Sequence, residues 1–367
     1  PGTPLTEARL MAYQDLLIKT GLFDQASVSL DSDPTQAAQA TVLVRLRESP
    51  RFTSTLALGF SANTGPRASL EEVQRRLFGQ PLTLRNKLLY GASEQSWDAE
   101  LSTHPDADFR HWVLGLIDNR QTTDTDLVQS KRLRLGRSRD SHGLERLVFT
   151  ETEHARECAR TDGSNHDCAN LNATSLNLHL TWRELDNAVL PTKGYSLLWQ
   201  GGAGMASGSV TATGPYARLY GRATGYWPLG QSWYSEARLE LGRVFARPGV
   251  QVPDSQRFRA GGDDSVRGYP YRTLAPLKAN GSVTGGRMLF TGSVELARPI
   301  SPNLPSVWWA TFVDAGRAAD DLADMKPALG YGLGLRWRSP VGPLRLDVAR
   351  GQEVHRYRLH LSVGIAF

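Results

Sequence analysis

One pattern limits what this chain can fold into. Large apolar residues fall at every second position in segment after segment, and no run approaches the roughly 20 apolar residues that a membrane-spanning helix needs. In the C-terminal stretch HRYRLHLSVGIAF (355–367), Tyr357, Leu359, Leu361, Val363, Ile365 and Phe367 alternate with Arg356, Arg358, His360, Ser362, Gly364 and Ala366. The same period recurs at 52–60, 176–182 and 329–337. Period two means strands with one apolar and one polar face. A β-sandwich also alternates, but the second set here is rich in Arg, Glu, Asn and His rather than in residues for the other half of a dry core. A closed barrel with lipid outside and water inside needs this distribution.

At roughly 20 residues per strand and connection, residues 50–367 predict an all-β transmembrane barrel of about sixteen antiparallel strands. Aromatic pairs near strand ends, Tyr226–Trp227, Trp233–Tyr234 and Trp308–Trp309, predict membrane-interface girdles. Residues 1–49 differ. Thr3 as N-cap, Pro4 at the first helical position and a stripe of Leu10, Tyr13 and Leu17 predict a helix that stops at Gly21. Alternating segments around Val28 and Val44 then predict two short strands, together about half of a small α/β unit. The chain opens on Pro1 without Met or a signal peptide, which reads as a processed or truncated piece.

The net charge is +5, but the basic residues are spread along strands rather than clustered, and no nucleic-acid-binding signature accompanies them. No nucleic-acid partner is expected. Enzymatic signatures are missing too, with no G-x-S-x-G, H-E-x-x-H or P-loop. GGAGMASG (201–208) misses the dinucleotide fingerprint and reads as a small-residue hairpin turn. GGDDS (261–265) lacks calcium-loop spacing. No enzyme, cofactor or metal is expected.

Residues 258–286, FRAGGDDSVRGYPYRTLAPLKANGSVTGG, are far longer than an ordinary connection, a sign of function. GGDDSVRGY (261–269) resembles the sixth-loop motif of the outer-membrane assembly-factor superfamily, which includes BamA, two-partner secretion transporters and TamA. FVDAG (312–316) resembles its F-x-D-x-G strand motif, and RWRSPVGPLRLDVA (336–349) resembles its penultimate hairpin. The terminal aromatic strand, closing on Phe367, is similar as well. Within the superfamily the similarity is greatest to the TamA branch, the outer-membrane subunit of the translocation and assembly module. GFSANTGPR (59–67) resembles its first barrel hairpin, and TGLFDQASVSL (20–30) the end of its last POTRA domain. That branch carries three complete POTRA domains, whereas 1–49 holds part of one.

The resemblance implies a bacterial outer-membrane barrel whose sixth loop (248–286) folds into the lumen, with Val266, Arg267, Gly268 and Tyr269 as its motif. It implies that Arg267 docks on the barrel wall. Asp314 or Glu295, each on an inward-facing position by parity, offers a carboxylate for its planar fork of donors. The implied work is insertion of nascent outer-membrane proteins such as autotransporters, in the lipid bilayer, with an inner-membrane-anchored TamB-like partner. Alternatives are a two-partner secretion transporter, a patatin-tethered barrel, phospholipid transport between the membranes and a passive porin. A substrate strand needs unpaired backbone groups, and a closed barrel exposes none except at a seam that opens. The seam between 52–62 and 355–367 is the expected gate, with Gly364 and Ala366 weakening its packing. In such an oxidising compartment, Cys158 and Cys168 read as a disulfide in a polar loop. His154 and His166 beside them offer a weaker zinc reading, with a spacing that fits no common module.

Overall fold

The computed structural model of the chain describes residues 6–30, 40–61, 64–106, 108–123, 125–141, 143–161, 163–187, 191–209, 211–230, 232–278, 281–339 and 342–366. Helix α1 (Glu7–Lys19) comes first and packs beside a two-stranded antiparallel ladder, β1 (Phe23–Leu30) and β2 (Val42–Glu48), in which Val28 faces Val44. The helix is capped by Thr6, whose extended backbone and side chain meet the Arg9 N–H, rather than by Thr3. Thr3 and Pro4 lie outside the described residues. Helix and ladder match the expected elements, and among the described residues they form no complete POTRA fold. Among the described residues no helix is long and apolar enough to cross a membrane.

Sixteen antiparallel strands then close on themselves. They are β3 (Phe52–Ser61), β4 (Gly65–Arg75), β5 (Leu82–Gly91), β6 (Glu94–Thr103), β7 (Arg110–Thr122), β8 (Asp126–Ser141), β9 (Leu144–Thr161) and β10 (Ser164–Leu185). β11 (Gly194–Gly208), β12 (Gly214–Leu229), β13 (Trp233–Ala246), β14 (Met288–Ser301), β15 (Leu304–Ala319), β16 (Ala328–Ser339), β17 (Gly342–Gly351) and β18 (Arg356–Ala366) complete the wall. Alternation sets the two faces. Phe52, Leu56, Leu58 and Phe60 are exposed on the outer surface, as are Leu329, Leu333, Leu335 and Trp337, whereas Ser61, Asp314, Arg336 and His360 are buried inside.

The wall is uneven in height. β9 and β10 run for 18 and 22 residues, while β3, β4, β17 and β18 have only 10 or 11. Since about 9–11 residues cross a bilayer, the tall side stands well beyond it and the seam side barely spans it. The seam is also thinly paired. Among the described residues β18 meets β3 over five register positions, from Ser362 opposite Ser61 to Ala366 opposite Ala57, whereas β17 and β18 share eight.

Three expectations change. Sequence neighbours on a strand point to opposite faces, so each aromatic pair is split: Trp227, Trp233 and Trp309 take the outer face, with Trp233 and Trp309 edge to face at 5.1 Å. Tyr226, Tyr234 and Trp308 instead line the lumen, where Tyr234 and Trp308 stack at 4.6 Å. Residues 201–208 are not a turn. They continue β11 in unbroken register with β10, and a Cβ on Gly204 would lie 1.9 Å from the Thr174 carbonyl, so small residues there permit close strand approach. Cys158 and Cys168 form a disulfide, but between paired strands β9 and β10 rather than within a loop, beside the irregular register at His166 and Ala169.

Candidate functional site

The connection between β13 and β14 does not lie on the surface. The described residues of 247–287 leave the end of the barrel remote from the N-terminal ladder and enter the lumen, making the main apolar cluster of the molecule. Val252, Phe258, Ala260, Val266, Tyr269 and Leu274 of the loop are buried against Ala173, Ala206, Tyr216, Val244, Leu289, Ala318 and Ala328 of the wall. Burial of these side chains offsets the entropy of ordering so long a loop. Isolated bridges Phe258–Gly286, Ala260–Leu274 and Leu277–Val283 hold the loop to itself.

The tip docks through Arg267, which is 6% exposed. Its Nε donates to Asp314 Oδ2 at 2.7 Å and its Nη2 to Asp314 Oδ1 at 2.9 Å, a bidentate pair. Nη1 donates to Glu295 Oε2 at 2.9 Å and to Asp347 Oδ2 at 3.3 Å, and the Arg267 backbone N–H adds a bond to Asp314 Oδ2 at 3.0 Å. The guanidinium carbon lies 3.4 Å from the centre of the buried Phe312 ring, a cation–π contact. Arg336 on β16 then bridges Glu295 and Asp347, donating to each through two nitrogens. Two guanidinium groups thus meet three carboxylates. Burial opposes the charge on Arg267, but the hydrogen bond to Asp314 and the charges of Asp314, Glu295 and Asp347 outweigh it and hold the guanidinium above its usual range.

The backbone fits this approach as closely as the charges do. Gly268 has φ +91°, and a Cβ there would sit 2.6 Å from the Gly351 nitrogen. On the facing strand a Cβ at Gly330 would lie 1.9 Å from the Arg267 carbonyl oxygen, and one at Gly334 would lie 1.8 Å from Asp347 Oδ1. Alternating glycines on β16 therefore clear the space into which loop and carboxylate fit.

A second anchor sits at the loop's base. Arg259 joins Asp126 of β8 and Asp254 of the loop, both at 2.8 Å. Glu153 and Glu157 of β9 accept from Gln256 Nε2 at 2.7 Å and from the Asp254 N–H at 2.5 Å. The loop thus spans the lumen from β8–β9 to β14–β18. Below it a cavity of about 530 Å³ is lined by Arg222, Tyr234, Trp308, Arg338 and Arg345 on the side of the N-terminal ladder.

Residues 78–367 match the Omp85 superfamily domain. The chain belongs to the Omp85 superfamily. A 154-residue stretch, 39% of the chain, is 32% identical to outer membrane protein assembly factor BamA of Nitratidesulfovibrio vulgaris, and a 118-residue stretch, 30% of the chain, is 36% identical to the chloroplastic outer envelope protein 80 of Arabidopsis thaliana. The matches span only 19% and 15% of those two proteins. Among solved structures, BamA of Haemophilus ducreyi lacking POTRA domains 1–3 superposes with a TM-score of 0.74 at 16% identity, covering the whole chain and 80% of that one. CdiB of Acinetobacter baumannii gives 0.62 at 15% identity, covering the whole chain and 72% of that one. Likeness at that identity concerns the fold. The location of this Omp85 barrel is the bacterial outer membrane.

Of the residues singled out in the sequence, the Omp85 lumen brings together Arg267, Asp314 and Glu295, and places Val266, Gly268 and Tyr269 beside them in buried positions. The Tyr269 hydroxyl donates to the Leu329 carbonyl at 3.0 Å. Gly364 lies in the seam opposite Gly59, and Phe367 lies outside the described residues. Cys158 and Cys168 sit far from this cluster on the tall wall. Asp347, Arg336, Asp263 and His360 were not singled out, nor was the base anchor. The signal for Asp347 and Arg336 lay in parity, since both are charged residues on the inward face of the hairpin already noted at 336–349. Among the described residues no group of three His, Cys, Asp or Glu is placed to hold a metal ion.

Proposed function

We propose that this chain is the membrane part of an outer-membrane protein assembly factor, of the TamA branch of the Omp85 superfamily, that inserts nascent outer-membrane proteins such as autotransporters through the seam between β3 and β18. It acts as a non-enzymatic template, with a TamB-like partner reaching it from the inner membrane. Helix α1 with β1 and β2 is the closing part of a POTRA domain on the periplasmic side, and residues 50–367 are the barrel.

The observation that carries this reading is the seam. Among the described residues it is paired over five positions, its strands have only 10 and 11 residues, and it holds glycine on both sides at Gly59 and Gly364. Backbone groups freed there are ready partners for an incoming strand. The packed sixth loop favours this over a passive porin, because the lumen is occupied by apolar side chains anchored at two places.

The test is reconstitution of the full-length protein in liposomes with an unfolded autotransporter barrel, scored by protease-protected, heat-modifiable product. Acceleration over empty liposomes is expected. An unaccelerated product yield together with large, steady single-channel conductance would favour a pore, and export of a soluble polypeptide into the liposome would favour two-partner secretion.

A further inference from the structure

Asp263, five residues before the docked Gly268, touches both sides of the seam. Ser61 Oγ, on the last residue of β3, donates to Asp263 Oδ2 at 2.7 Å. His360 of β18 meets the other oxygen through its Nδ1. The Gly268 backbone N–H donates to His360 Nε2 at 2.9 Å. With Nε2 accepting that bond, Nδ1 is the ring nitrogen that donates toward Asp263. Ser61 and His360 are 6% and 2% exposed.

Position in the ladder gives this arrangement its meaning. Among the described residues the register between β18 and β3 ends at Ser362 opposite Ser61, and His360 lies two residues further along β18 on the same face. The carboxylate of Asp263 joins the two strands beside the last described register position. His360 is also the register partner of Asp347, which belongs to the Arg267 cluster. One continuous set of polar contacts therefore runs from β3 through loop six to β18 and on to β14, β15, β16 and β17.

We infer that Asp263 is a clamp across the seam, a positioning residue through which docking of loop six holds β3 and β18 together, so that release of the loop loosens the gate. The inference rests on the reading of this seam as the gate. Asp264, the next residue, is exposed and supplies the control.

The experiment uses the full chain in lipid nanodiscs with nitroxides at Leu58 and Leu359, lipid-facing positions on β3 and β18, and reads the distance distribution between them. Asp263→Ala is expected to raise the population of long distances about tenfold, the change for loss of a hydrogen bond to a charged group. Asp264→Ala should match the parent. Should Asp263→Ala fail to give a heat-modifiable barrel, Ser61→Ala and His360→Gln each remove one arm and are expected to widen the distribution in the same sense. Distances equal to the parent in folded Asp263→Ala, or in both single-arm variants, overturn the clamp. Assembly measured on the same samples separates the two readings. A widened seam with unchanged assembly keeps the clamp and removes the gate. An unchanged seam, with assembly still blocked by a covalent lock at Leu58 and Ile365, removes the clamp and keeps the gate.

Discussion

Arg267 and Asp314 meet fork to fork in the lumen, with Nε to Oδ2 at 2.7 Å and Nη2 to Oδ1 at 2.9 Å, and Asp314 is wholly buried. Forty-seven residues separate them in the chain. No local preference brings them together, so the pair records the docking of one long loop on a wall built from four other strands.

Removal of one partner leaves a buried charge uncompensated, which costs on the order of 3–5 kcal/mol. Arg267→Ala is therefore expected to lower the temperature at which the unboiled band converts to the boiled one on a detergent gel. Arg272→Ala in the same loop should shift it far less, because Arg272 is more exposed and its ion pair with Asp254 is long, at 3.9 Å. Arg267→Lys should not restore the parent value, since an ammonium cannot form the planar double bond to Asp314. Equal shifts for Arg267→Ala and Arg272→Ala would remove the docking pair from the account of stability.

Gly330→Val places a side chain where the Arg267 carbonyl oxygen now lies, 1.9 Å from the Cβ position. Strain of this kind costs about 1–3 kcal/mol, and the loop is expected to leave its seat. Proteolysis after Arg267 or Arg272 should then appear in whole cells or proteoliposomes. Gly221→Val, whose Cβ position has nothing nearer than 3.9 Å, is the control and should stay resistant.

Cysteines at Leu58 and Ile365 face each other across the seam. Leu58→Cys with Ile365→Cys should form a disulfide under oxidising conditions, leave the barrel heat-modifiable and stop assembly of the autotransporter substrate. Reduction should restore it, since a lock blocks motion and destroys no group. Assembly by the locked protein at the parent rate would move the work elsewhere on the barrel. The register matters here. Ser362 faces Ser61 rather than Leu58, so a pair chosen at Leu58 and Ser362 would miss by three positions.

The Cys158–Cys168 disulfide closes a separation of 10 residues at the outer end of β9 and β10. In the chain-entropy account such a loop contributes roughly 2–3 kcal/mol, spent locally. The double variant Cys158→Ser with Cys168→Ser should still give a folded barrel with an unaltered seam, while amide exchange speeds up around 158–168 alone. Loss of the whole barrel would show that the tall wall nucleates the fold.

Strand number, face and the special standing of the sixth loop were all legible in the chain. Period two needs only the sequence, because a strand's side chains alternate by covalent geometry. For the same reason, charge on an inward position of β14, β15 and β17 could be assigned from parity alone. What parity cannot supply is which inward charge meets which. Glu295 and Asp314 were named as alternatives for Arg267, yet the structure gives it both, adds Asp347, and inserts Arg336 between two of them. Only one member of each aromatic pair faces outward, because adjacency in sequence is opposition in space. Strand height, the five-position seam and the Asp263 contacts to Ser61 and His360 depend on register and on the path of a 41-residue connection (247–287), which closure of the barrel decides. The sequence by itself determined a lipid-facing and a water-facing surface. Only the closed wall determined which buried charges share a site, because long-range pairing is fixed by the geometry of all sixteen strands at once.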